Sequence, residues 1–202
     1  MNRPAIYTRP NKPLTIPVQR RTEPEAFKPL ALAEPLAVDK FTECHVTPDD
    51  VAARMVEYLG LQGDYLTLEP SAGTGQLAKA LIASGHSTCE LTMVERHIEM
   101  ARRLSSIGPT INRCFLEYAA ETKGRATFPR VIMNPPFKDV RKHIAAALSI
   151  MGQHGHECPA VLVALVPVTF DHPEAETLET LPDDTFTTAR VNTKIIRIER
   201  FD

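Results

Sequence analysis

The sequence predicts an α/β domain built on a mostly parallel sheet that closes with an antiparallel pair of strands. Three observations carry this reading. From about residue 47, short apolar runs alternate with stretches of helical periodicity, the pattern of strands joined by crossover helices. The β-branched run Ala160 to Val166 shows no polar alternation, as expected of a strand covered on both faces. The last two strand-like segments, Thr188 to Val191 and Lys194 to Glu199, are joined by a short turn near Asn192.

The size and composition fit that class. A chain of 202 residues, 43% of them apolar, suits one globular domain. The net charge of −2 gives no overall positive field, so contact with nucleic acid would need a local basic patch. The longest apolar run, Ala160 to Val168, is too short to span a bilayer, and the first residues show no secretory pattern. Cys44, Cys89, Cys114 and Cys158 form no C-x-x-C pair, which points to reduced thiols in a cytoplasmic protein.

Residues 1–40 read as a flexible arm and residues 41–202 as the domain. Seven of the 17 prolines fall by residue 35, and five basic residues precede Glu23 with no acidic one among them. Such a segment is either a solvated tail or a basic arm for phosphates.

Within the domain, Thr47-Pro48 reads as a helix start, with the threonine as N-cap and proline at the first helical position. That helix runs to Leu59 and stops at Gly60. Tyr65 to Leu68 reads as the first strand, Gln76 to Ser84 as a helix, and Glu90 to Val94 as the second strand. Ile98 to Ile107 is a helix, Ile111 to Leu116 a third strand and Arg130 to Met133 a fourth. Val140 to Met151 is a helix, followed by the buried strand and the terminal pair, giving seven strands.

Glu69-Pro70-Ser71-Ala72-Gly73-Thr74-Gly75 follows the first strand and opens a helix. Small residues there let the backbone approach a ligand and adopt positive φ. Glu95 lies 20 residues after Gly75 at the end of the second strand, where a carboxylate can accept from both hydroxyls of a ribose. The full G-x-G-x-x-G is absent, because Ala78 ends the pattern, and this disfavours a dinucleotide.

These segments, with Asn134-Pro135-Pro136-Phe137 after the fourth strand, resemble the S-adenosylmethionine-dependent amino-methyltransferases, particularly bacterial and phage N6-adenine DNA methyltransferases. The resemblance implies a Rossmann-like methyltransferase fold with S-adenosyl-L-methionine as cofactor. It implies that Thr47, Glu69, Ser71, Ala72, Gly73 and Gly75 surround the cofactor, with Thr47 and Ala72 near its methionine end. Glu95 would hold the ribose and Arg96 would lie against the adenine. The family's Asp-Phe pair after the third strand corresponds here to Cys114-Phe115. Phe115 can still pack on adenine, but Cys114 is a poor acceptor, unless Glu117 serves in its place.

The tetrapeptide suits chemistry on a planar amino nitrogen. Acceptors at the Asn134 side-chain oxygen and the Pro135 carbonyl favour a pyramidal nitrogen whose lone pair can attack a methyl group. Pro135 and Pro136 hold the backbone for this, and Phe137 would stack on a flipped-out base. DNA is the expected substrate. RNA bases and protein glutamine are alternatives, as is a degenerate fold acting as a binding subunit. Little beyond the arm, the loop Ala119 to Phe128 and the loop Asp171 to Phe186 remains for reading a target, so a partner subunit for recognition is a further expectation. His154-Gly155-His156-Glu157-Cys158 has no second ligand cluster at zinc spacing, and no metal is expected. Lys138, Arg141 and Lys142 are either a solvated helix face or contacts to phosphates.

Overall fold

A computed structural model of the chain describes residues 46–60, 65–125, 127–186 and 190–201. The arm expected over residues 1–40 lies outside the described residues, as does Cys44.

The elements run α1 (Asp49–Leu59), β1 (Thr67–Pro70), α2 (Gln76–Ala83), β2 (Leu91–Glu95), α3 (Ile98–Leu104), β3 (Thr110–Asn112) and α4 (Phe115–Thr122). They continue with β4 (Arg130–Met133), α5 (Val140–Leu148), β5 (Ala160–Pro167), β6 (Glu176–Leu181) and β7 (Thr193–Arg200). The strands form one seven-stranded sheet in the order β3-β2-β1-β4-β5-β7-β6. β1 to β5 pair in parallel, and β7 runs antiparallel between β5 and the edge strand β6.

Side-chain alternation along the strands splits the core into two layers. Leu68, Val94, Val131, Met133, Leu162, Ala164 and Ile196 pack with Phe115, Ala119, Ile144 and Leu148 of α4 and α5. Met93, Ile132, Val161, Val163, Leu165 and Ile195 pack on the other face with Met55, Leu59, Leu77, Leu81 and Leu104 of α1 to α3. β5 feeds both layers, which explains its unbroken apolar run. Burial at Val51, Met55 and Leu59, spaced four apart, sets the inward stripe of α1.

Three expectations are corrected. The N-cap of α1 is Pro48, so Thr47 lies one residue ahead of the cap, where its hydroxyl accepts from Asn134. The third strand ends at Asn112, and Phe115 opens a helix; Phe115 and Ala119, one turn apart, bury that helix's inner face. The strand expected from residue 188 is instead β6 at Glu176–Leu181, while Arg190 and Val191 lie in no strand and residues 187–189 lie outside the described residues. The segment Glu-Thr-Leu-Glu-Thr-Leu is a sheet edge in which only Leu181 is buried, so its charged residues disguise it as a loop. Arg54 of α1 pairs with Glu179 at 3.0 Å and Tyr58 donates to the same carboxylate oxygen at 3.3 Å, tying this edge to the helix layer.

Candidate functional site

The strand order reverses between β1 and β4, since β2 and β3 extend to one side and β5 onward to the other. Open α/β sheets bind ligands beyond the carboxyl ends of their strands at such a point. A crevice of about 340 Å³ lies there. It is lined by Thr47, Glu69, Ser71, Ala72, Gly73, Glu95, Arg96, Cys114, Phe115, Asn134 and Pro136. Gly75, Pro135 and Phe137 do not line it.

The turn after β1 is held in left-handed backbone, with φ 58° at Ser71, 56° at Gly73 and 78° at Gly75. A non-glycine residue is strained at such a φ, and strain of this kind clusters at ligand sites. The turn is pinned to the end of β2: the Ala72 amide donates to the Val94 carbonyl at 3.0 Å, and the Gly73 amide to Glu95 Oε2 at 2.8 Å. The other oxygen of Glu95 accepts from the His97 amide at 2.7 Å. Glu95 therefore shapes the crevice as well as lining it. Gly75 serves packing: a Cβ there would sit 2.6 Å from Leu104 Cδ2 and 3.1 Å from Ile107 Cδ1.

Glu69 is 2% exposed, and its Oε2 has no hydrogen-bond partner. Burial pushes its carboxyl up to about 8; the Ala78 amide opposes this, and the Glu95 carboxylate adds to it. An orphaned carboxyl on a crevice wall suits a cationic ligand group, which would supply the missing partner.

Asn134 follows β4 directly, and its Nδ2 donates to Thr47 Oγ1 at 3.0 Å. The bond joins residues 87 positions apart and fixes the amide plane, committing the nitrogen to Thr47. Thr47 is 5% exposed, so this anchor is dry. Pro135 is buried behind Asn134. The Phe137 ring meets Phe186 edge-on at 6.3 Å and packs partly into the α1–α3 layer.

At the far end of the crevice, Arg96 and Cys114 are joined by Phe115 and His143, the latter unforeseen. His143 lies on the inward face of α5 with Val140, Ile144 and Ala147. In sequence it shows only as a histidine on an apolar stripe, a pattern that core histidines share. Its ring centre is 5.9 Å from that of Phe115. Burial holds its imidazole below the usual histidine range; the Asp139 carbonyl opposes this shift and the Arg96 charge reinforces it. Glu117 is exposed on α4 and does not line the crevice.

Arg113 and Lys138 also line the crevice. Arg113 pairs with Glu121, and Lys142 with Asp139 at 2.8 Å. Arg141 Nη1 donates to the Asp171 carbonyl at 3.3 Å. Among the described residues no group of three or more His, Cys, Asp or Glu is placed to hold a metal, and no helix is long and apolar enough to cross a membrane. Cys89, Cys114 and Cys158 are free.

This sheet order with its antiparallel C-terminal pair is the Rossmann-like methyltransferase fold, and solved structures confirm it. The 23S rRNA methyltransferase ErmE superimposes with a TM-score of 0.58 at 17% identity, over 75% of this chain and 67% of that one. TrmN from Thermus thermophilus gives 0.55 at 10% identity, over 76% of this chain, which spans only 49% of TrmN. The O-methyltransferase from Bacillus cereus in complex with SAH gives 0.58 at 9% identity, over 77% and 83% of the two chains. No protein-family model and no curated protein matches the sequence.

Proposed function

We propose that the chain is an S-adenosylmethionine-dependent methyltransferase acting on the N6 amino group of adenine in DNA. The observation that carries this reading is the Thr47–Asn134 bond at the mouth of the strand-end crevice. With its nitrogen on Thr47, the Asn134 amide turns its oxygen the other way, as an acceptor for a substrate N–H must be turned.

The crevice fits the cofactor. The orphaned Glu69 carboxyl matches the ammonium of its amino-acid part, Glu95 matches the ribose hydroxyls, and Arg96 and Phe115 match the adenine ring. When bound, the cofactor supplies an electrophilic methyl group. Asn134 Oδ1 and the Pro135 carbonyl accept the two N–H bonds of the substrate amine and localise its lone pair on nitrogen. The rigid prolines keep both acceptors in place, so little reorganisation is needed as charge develops. Phe137, braced edge-on by Phe186, offers a ring face to a base taken out of its stack. Arg113, Lys138 and Arg141 give this end of the sheet cationic groups for phosphates.

A second reading replaces DNA with RNA, and the likeness to an rRNA methyltransferase favours it. Methyl transfer from labelled cofactor to unmethylated DNA, to RNA and to protein separates the readings. Label in DNA adenine is expected. Asn134→Ala should then lower turnover by about a hundred- to a thousandfold with cofactor affinity retained. Label only in RNA would select the second reading. Cofactor binding with no transfer to any acceptor would make the chain a binding subunit.

A further inference from the structure

The ring-lined end of the crevice lacks a strong acceptor on the loop after β3, where Cys114 stands. The imidazole of His143 faces the same end, from α5. Its Nδ1 lies 3.1 Å from the Asp139 carbonyl, one helical turn earlier. A carbonyl only accepts, so Nδ1 carries the proton and neutral Nε2 carries a lone pair. Among the described residues Nε2 has no hydrogen-bond partner, and it is not among the side-chain atoms sealed from solvent. The Phe115 ring lies beside the imidazole, the two ring planes 30° apart. The site thus pairs an aromatic surface with one directed acceptor.

We propose that His143 is the residue that selects a 6-aminopurine nucleoside: its Nε2 accepts from the adenine amino group of the cofactor, in place of the acceptor that Cys114 cannot provide. This rests on the cofactor reading above. A 6-oxopurine presents an oxygen to the same lone pair and is repelled. The groups facing the imidazole are the Asp139 carbonyl and carboxylate and Lys142 from its own side, Arg96 from the end of β2, and the uncharged Phe115 ring from α4. Two of the three charges are positive, and with burial they keep His143 neutral at pH 7. Acidification through its lowered titration range converts Nε2 to a donor and reverses the preference.

Calorimetry with S-adenosylhomocysteine and S-inosylhomocysteine tests this without any turnover. The parent should prefer the adenosyl ligand by about two- to twelvefold at pH 7.5, the range of one neutral hydrogen bond. His143→Phe should bind both ligands alike, while His143→Gln, which keeps an acceptor, should retain a preference. Within the unaltered protein, the preference should shrink as acid protonates His143, a titration followed by the NMR shifts of its own imidazole, which tests the idea even if a variant misfolds. Full discrimination by His143→Phe, or a preference unchanged once the imidazole is protonated, overturns the role of His143. Failure of the parent to bind either ligand would instead overturn the cofactor reading on which it rests.

Discussion

The carboxyl of Glu69 keeps its proton near neutral pH because burial in the wall of the crevice penalises the anion more than the Ala78 amide can stabilise it. Its titration is raised from 4.5 to about 8, so the folded state binds this proton more tightly than the unfolded chain. The stability linked to it is complete below about pH 4.5 and is lost as the pH rises through 8. Glu69→Gln cannot ionise and escapes that loss. Its melting temperature should match the parent at pH 4.5 and exceed it at pH 8.5. A tenfold difference in proton affinity between the two states is worth about 1.4 kcal/mol, and 1 kcal/mol is about 2–4 °C in a domain of this size. Thermal melts across this range check it, and a gap independent of pH would mean that Glu69 ionises normally in the fold. About half of the crevice lining was legible in the sequence, because motifs after strands stay local: Glu69 to Gly73, Glu95 and Asn134 each end a strand or follow one. His143 was not, since its role depends on where α5 crosses the sheet. The bond from Asn134 to Thr47 was equally hidden, spanning 87 positions with nothing local to announce it.

Among the elements, α2 illustrates how a motif glycine can serve packing. Gly75 caps α2 in left-handed backbone, and the side chains of Leu104 and Ile107 close over the place where a Cβ would be. Gly75→Ala should cost about 1–2 kcal/mol in backbone strain and about 1–3 kcal/mol in overpacking, although the Leu104 terminus can move to relieve part of the latter. Gly60→Ala is the control: Gly60 also has a positive φ, at 100°, but nothing lies within 4 Å of its Cβ position. Denaturant unfolding should therefore show a larger loss at residue 75 than at residue 60. Equal losses would assign the whole effect to backbone strain. The same contrast between local and non-local signals governs how the elements were read. α1, β4 and β5 announce themselves through clear periodicity or unbroken burial. β6 does not, because an edge strand with Glu176 and Glu179 on it draws its order from β7, and β7 starts only at Thr193.

At the scale of the whole molecule, the crevice draws its walls from the ends of β1, β2 and β4 and from α5. A ligand seated there is bound by the folded sheet and not by the unfolded chain. S-adenosylhomocysteine at a hundred times its dissociation constant should stabilise the domain by about 2.7 kcal/mol, or roughly 5–10 °C in melting temperature. Differential scanning fluorimetry measures this, and an unmoved transition at saturating ligand would show that the crevice does not take the nucleoside.

The position of β7 bears on how the chain is made. All eight residues of β5 pair with β7, and β6 reaches the sheet only through it. During synthesis β5 leaves the ribosome some thirty residues before its partner, and six of its eight residues are fully buried in the finished fold, at 0% exposure. Until Thr193–Arg200 arrives, the nascent chain holds an open apolar strand edge, the kind of surface that invites intermolecular pairing. The acidic β6 emerges within the interval between the two strands, when electrostatic repulsion between copies opposes such pairing.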